Sequence, residues 1–229
     1  MSSPIDTNQT ADFQEIQDND ASEELFLIPE TTYTQNDFWG HEMNPKQPNM
    51  LRIYYQNVNG ITCHGNWDKW QHGAQMCFNK QIDICCFVET NVTWNPTTKN
   101  RATKILRETY QTGTIVTSHC DGNTLTQKQQ GGTCIGITGS ALGSISDKGE
   151  DARGLGRWSY CILNGRENTK LVIITVYRVR NVHGSGDNTV YQQQYRALRQ
   201  QHVQFPNPQQ QSDQDLIVQL QAWRKENMK

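Results

Sequence analysis

Seven consecutive positions, Ile82-Asp83-Ile84-Cys85-Cys86-Phe87-Val88, constrain this chain more than any other stretch. Apart from Asp83, the run is apolar on both faces of an extended strand. Such a strand belongs in the middle of a sheet that is covered on both sides. It ends in Glu89-Thr90-Asn91. A carboxylate just past a fully buried strand is costly unless it is paired or bound to a cation, so Glu89 is the first candidate functional residue.

The segments around this strand alternate in character. Leu51-Arg52-Ile53-Tyr54-Tyr55 is a short β-rich run closed by the turn-forming cluster Gln56-Asn57-Val58-Asn59-Gly60. Trp67, Trp70, Ala74 and Cys77 recur at steps of three and four, which predicts an amphipathic helix with Asn66 as its N-cap. Ala102, Ile105, Leu106 and Tyr110 mark a second helix. Three more strands are expected over 131–138, 157–163 and 170–177. The last of these is β-branched and two-sided, as a central strand is.

Two helical patterns follow, one through Val190, Tyr191, Tyr195 and Leu198, the other through Leu216, Leu220 and Trp223, capped near Ser212 or Asp213. The glutamine-rich stretch between them, with Pro206 and Pro208, reads as a flexible connection. The order β-α-β-α-β-β-β-α-α is that of a mixed, layered α/β domain rather than a doubly wound one.

Length and composition set the outer bounds. The 229 residues suit one domain, and 34% hydrophobic residues with a mean hydropathy of -0.77 imply that part of the chain is not packed. Residues 1–49 hold ten acids against one base, whereas residues 50–229 hold 20 bases against 13 acids. The chain therefore reads as an acidic leader over 1–48, without regular structure, and a basic domain over 50–229. A basic surface suits a polyanionic partner.

Seven cysteines without a CxxC and six scattered histidines argue for small buried hydrophobes, not for disulfides or a zinc site. No stretch approaches the length of a membrane span, and Met1 to Asp20 lacks the regions of a secretory signal. The expected setting is intracellular, cytoplasmic or nuclear, and reducing.

In a layered sheet the polar residues just beyond apolar strands converge on one rim, where ligands bind. Here these are Asn57, Glu89 and Tyr177. The ordered set resembles the endonuclease/exonuclease/phosphatase superfamily, the deoxyribonuclease I-like fold. Residues 51–60 look like its opening strand and N-[VI]-[ND]-G motif, and residues 82–90 like its D-I-[IL]-x-[LF]-x-E-[TS] motif. Gly131-Gly132-Thr133-Cys134 matches its G-G-x-[AG] strand, Gly156-Arg157 its G-R, and residues 171–177 the strand ending in a site tyrosine. Asn59 is most similar to the endonuclease domains of non-LTR retrotransposons.

The resemblance covers about residues 50–229 and implies a four-layered α/β/β/α sandwich. It makes Glu89 the main magnesium ligand, with manganese as a substitute. Asn57 would bind the scissile phosphate and the hydration shell of the metal. Asn59 would stand behind them, and Tyr177 would contact the phosphate or the nucleophile network. The partner implied is nucleic acid, DNA before RNA.

The departures are specific. Tyr177 is followed by Arg178-Val179-Arg180-Asn181 and not by x-P-N, and Ser146-Asp147-Lys148 is not the family's S-D-H. Asp121-Gly122-Asn123 precedes the third strand and is out of order for the family's G-D-x-N. The expectation is a sandwich incomplete at its C-terminal side and a metal-dependent phosphodiesterase inactive as this chain. The alternative is a non-catalytic remnant that binds nucleic acid or a protein partner.

Overall fold

The computed structural model describes residues 44–62, 66–120, 129–180 and 189–227. All of them lie within the second of two compact units, Met43–Lys229. The expectation for residues 1–43 falls outside the described residues, as does the loop holding Asp121 and Asn123. Residues 44–48, grouped with the leader from sequence, make contacts with the domain. The Lys46 ammonium pairs with the Asp83 carboxylate at 2.5 Å, and the Arg52 guanidinium donates to the Asn44 carbonyl. The Arg52 N–H donates to the other Asp83 oxygen at 2.7 Å. The single polar residue in the apolar run is thus paired where the strand enters the sheet.

Four strands form the first sheet: β1 (Ile53–Asn57), β2 (Ile84–Val88), β3 (Gly113–Ser118) and β4 (Thr133–Thr138), in the order β1-β2-β4-β3. β1 runs parallel to β2, and the other pairs are antiparallel. All five residues of β2 are buried, as its two-sided apolar sequence requires. The second sheet is antiparallel: β5 (Ile145–Glu150), β6 (Trp158–Asn164) and β7 (Lys170–Val176).

Helices α1 (Asp68–Asn79) and α2 (Pro96–Tyr110) cover the outside of the first sheet. Their Trp70, Ala74, Cys77, Ala102 and Leu106 form one core with Cys85, Phe87 and Cys134 of the strands. The alternate residues of the same strands, Ile84, Cys86, Ile135 and Ile137, meet Cys161, Leu163 and Ile173 of the second sheet in another core. Helix α3 (Val190–Gln200) packs Ala197 and Leu198 with Cys120 and Leu155. Helix α4 (Pro208–Asn227) sets Trp223 on Tyr160 of β6, with ring centroids 4.6 Å apart. The result is the α/β/β/α layering that the resemblance implies.

Several sequence expectations need correction. β3 and β5 lie outside the strands expected from sequence, and the described residues hold seven strands. α1 begins at Asp68 and its cap position is Trp67; the Asn66 amide turns instead to the Asp68 carboxylate. α4 begins at Pro208, because the Asn207 side chain accepts the Gln210 N–H at 3.2 Å and proline fits the first helical position. The stretch read as a flexible connection therefore supplies the first turn of a helix, and Ser212 and Asp213 lie inside it. All six described cysteines are buried. No helix among the described residues is long and apolar enough to cross a membrane.

β1 is an edge strand whose residues Ile53 and Tyr55 stay 48% and 57% exposed. A cleft of about 830 Å³ opens near Met50, Leu51, Gln81 and Leu171, at the beginning of these strands. It is lined by neither a carboxylate nor a histidine, so chemistry must be sought at the other end.

Candidate active site

The tails of β1 and β2 continue side by side beyond the sheet. The Val58 N–H donates to the Val88 carbonyl at 3.0 Å, Gly60 to Glu89 at 2.6 Å and Ile61 to Thr90 at 3.0 Å. Asn57 stands in register with Val88. It lies on the same face as Tyr55, two residues back, which is the face turned toward the second sheet. Its Oδ1 accepts the Asn59 N–H at 3.1 Å. Asn59 itself adopts a left-handed backbone, φ 43°, in the turn that follows.

Glu89 follows Val88, and on a regular strand it would point toward the helices, as Phe87 does. Its backbone is left-handed instead, φ 55°, and the half-buried carboxylate lies beside the Tyr177 phenol, close enough to perturb it. Tyr177 comes from the other sheet, one residue past β7, with its N–H held by the Arg157 carbonyl at 2.7 Å. Burial first, then the bond to Glu89 and its charge, push the phenol well above the ordinary tyrosine range. Tyr55 is also raised, by burial, Cys86 and the charge of Glu89 in that order. Glu89 and Tyr177 therefore meet across the sandwich, with the Asn57 turn on the neighbouring tail.

The ring of Tyr177 rests on a glycine. A Cβ added at Gly131 would lie 3.3 Å from Cε1 of Tyr177 and 3.1 Å from Val190, and Gly131 has φ 74°. Both facts demand glycine there. Three other residues build the site that sequence reasoning did not assign. Buried Thr90 accepts the Trp94 indole N–H at 3.2 Å. Asn91 joins the β2 tail to Gly131; its only sequence signal is that asparagine tolerates the left-handed backbone. Buried Arg157 sends two guanidinium nitrogens to Asp151 at 2.5 and 2.6 Å and a third to Asp215 at 2.9 Å. The Gly156-Arg157 pair thus anchors the strand behind Tyr177.

The fit of a magnesium ion turns on Glu89. Among the described residues no lysine or arginine forms an ion pair with it, and its side-chain partner is a neutral phenol. The half-buried carboxylate thus keeps no cationic side chain beside it among the described residues and stays open to a hydrated cation. Among the described residues no group of three or more His, Cys, Asp or Glu side chains is placed to hold a metal. These residues fit a hydrated hard ion held by one carboxylate, a mode magnesium accepts, and do not form a protein cage.

The layered sandwich places Asn57, Glu89 and Tyr177 at the ends of β1, β2 and β7, with Glu89 beside Tyr177. Two solved structures are similar to this chain. One is an endonuclease/exonuclease/phosphatase family protein from Leptotrichia buccalis C-1013-b, at 11% identity and TM-score 0.40, covering 69% of this chain and 65% of that one. Another is an endonuclease/exonuclease/phosphatase from Beutenbergia cavernae DSM 12333, at 12% identity and TM-score 0.37, covering 67% and 44%. This chain spans just under two thirds of the first and under half of the second. A likeness of this size assigns no role to any residue. No family description matches the sequence, and no curated protein matches it.

Proposed function

We propose that this chain carries part of a divalent-cation-dependent phosphodiesterase site acting on nucleic acid, DNA before RNA, of the type found in non-LTR retrotransposon endonucleases. The supporting observation is Glu89, turned out of strand alternation to meet Tyr177 from the opposite sheet without a cationic partner among the described residues. In this reading Glu89 is the carboxylate ligand of magnesium or manganese. The ion would supply charge stabilisation at the phosphate oxygens and a more acidic bound water.

The remaining roles follow from hydrogen-bonding capacity. Because the Asn57 Oδ1 is occupied by the Asn59 N–H, its amide NH₂ is the group left to present. Two N–H donors suit an anionic phosphate oxygen. Tyr177 remains protonated at neutral pH, so it too acts as a donor, either to Glu89 or to a phosphate oxygen in its place. Asn59 shapes the turn that aims Asn57.

Hydrolysis also needs a positioned base and a group on the leaving oxygen. The described residues bring one carboxylate to this rim, so we expect no measurable phosphodiester cleavage by the purified chain. The second reading, nucleic-acid binding without chemistry, is favoured by the excess of 20 bases over 13 acids across residues 50–229.

Calorimetric titration with magnesium tests the site. Weak binding by the wild type that Glu89→Gln abolishes is the expected result, and equal binding by both removes Glu89 from this role. Plasmid nicking and abasic-DNA cleavage with magnesium or manganese test turnover. Robust cleavage that disappears in Glu89→Ala would refute the expected inactivity while supporting the site.

A further inference from the structure

Glu89 stands beside Tyr177 with its backbone in the left-handed region, where a glutamate is normally disfavoured. Such a conformation persists only when its surroundings enforce it. Two side chains next to Glu89 reach Gly131: the Thr90 hydroxyl donates to its carbonyl at 3.4 Å, and Asn91 makes the shorter bond. The Asn91 Oδ1 accepts the Gly131 N–H at 2.7 Å, and its own N–H donates to the Gly131 carbonyl at 2.8 Å. Asn91 is itself left-handed, φ 53°. Its Nδ2 lies 3.4 Å from where a Cβ of Gly60 would stand. Asn91 thus ties the tail of β2 to the start of β4 at Gly131 and stands beside the tail of β1 at Gly60. Glu89 is caught within that knot, since its carbonyl accepts the Gly60 N–H at 2.6 Å. Gly131, the far end of the same clamp, carries the ring of Tyr177.

We infer that Asn91 is a positioning residue, whose side-chain clamp on Gly131 keeps Glu89 turned toward the second sheet and so makes the carboxylate available to a divalent cation. The part concerning the cation rests on the reading of Glu89 given above. The part concerning the backbone does not.

Both parts are testable on the full chain with three variants. Asn91→Gly keeps the backbone freedom that φ 53° requires and removes only the acceptor. Asn91→Asp keeps the acceptor. Glu89→Gln calibrates the loss of the ligand. The readouts are hydrogen exchange at the Gly131 amide, the ¹³Cα and ¹³C′ shifts of Glu89, and calorimetric titration with magnesium chloride.

Asn91→Gly should speed exchange at Gly131, move the Glu89 shifts out of the left-handed range and weaken magnesium binding about tenfold or more, the usual loss when the support of a metal ligand is removed. Asn91→Asp should restore the Glu89 shifts. Faster exchange at Gly131 with unchanged Glu89 shifts in Asn91→Gly would overturn the inference, because the clamp would then be merely structural. Failure of Asn91→Asp to restore the shifts would overturn it as well. Should the wild type bind no magnesium, the reading of Glu89 as a ligand falls, and the Glu89 shifts still decide whether Asn91 positions it.

Discussion

Asp151→Ala is the change from which the packing behind Tyr177 predicts the largest loss. The Asp151 carboxylate is fully buried and accepts two nitrogens of an Arg157 guanidinium that is 1% exposed. It also accepts the N–H groups of Arg153 and Leu155 at 3.0 and 3.2 Å. Truncation leaves a buried cation with Asp215 as its remaining carboxylate and strips two backbone donors of their partner. Breaking a buried pair by removing one member costs about 3–5 kcal/mol.

For a domain of this size that is roughly 6–20 °C in melting temperature, at about 2–4 °C per kcal/mol. Urea denaturation followed by far-UV circular dichroism gives the free energy directly. Because Tyr177 hangs on the Arg157 carbonyl, Glu89 should lose its phenol partner in the same variant. Replacing both members, Arg157→Met with Asp151→Leu, should recover most of the stability, since the cost lies in the orphaned charge and not in the loss of the pair itself. A loss below about 1 kcal/mol in Asp151→Ala, the range of an exposed pair, would refute the reasoning.

Further expectations test other parts of the molecule. Gly156→Ala should destabilise strongly, because a Cβ at this φ of 70° would lie 2.7 Å from backbone atoms of His119 and Cys120; thermal melting checks it. The Asp215 carboxyl is raised by burial, but hydrogen bonds from Arg153, Gln211 and Arg157 and the Arg157 charge outweigh that and hold it below the ordinary range. Its contribution is therefore complete above the unfolded value of about 3.9 and is lost as pH falls through the lower folded value. Limited proteolysis across pH 2–6 should show α4 released at the acid end, with that pH dependence reduced in Asp215→Asn. Ile53→Lys with Tyr55→Lys should lower dye binding and self-association, because both side chains stand about half exposed on the open edge strand; light scattering decides it.

The elements legible in the sequence were those with a strong period or a strong apolar excess. β2, β7 and the inner faces of α1 and α2 were of this kind, and Glu89 stood out because it interrupts the first of them. β3 hides because Thr114, Thr117 and Ser118 break its apolar content, although Thr117 and Ser118 are buried. β5, Ile145-Ser146-Asp147-Lys148-Gly149-Glu150, is a largely exposed edge strand, and its identity comes from pairing with β6. The start of α4 depends on Asn207, whose capping role is visible only once Pro208 is seen to begin a helix. Asn91 was missed for a different reason. Its function lies in a bond to Gly131, 40 residues away, and no local pattern records a partner at that distance.

That distance also sets when the rim can form. β1 and β2 are parallel, so they pair only after the intervening chain, α1 included, has crossed over the sheet. The bonds from Asn91 and Thr90 to Gly131 close loops of about 40 residues, and the phenol of Tyr177 joins from later still in the chain. Loop-closure entropy is spent before such contacts return anything, and long-range pairing of this kind is slow. The meeting of Glu89 and Tyr177 is accordingly expected late, after both sheets have docked. In a refolding experiment, a signal from that pair should trail the recovery of secondary structure and arrive with the last step to the native state.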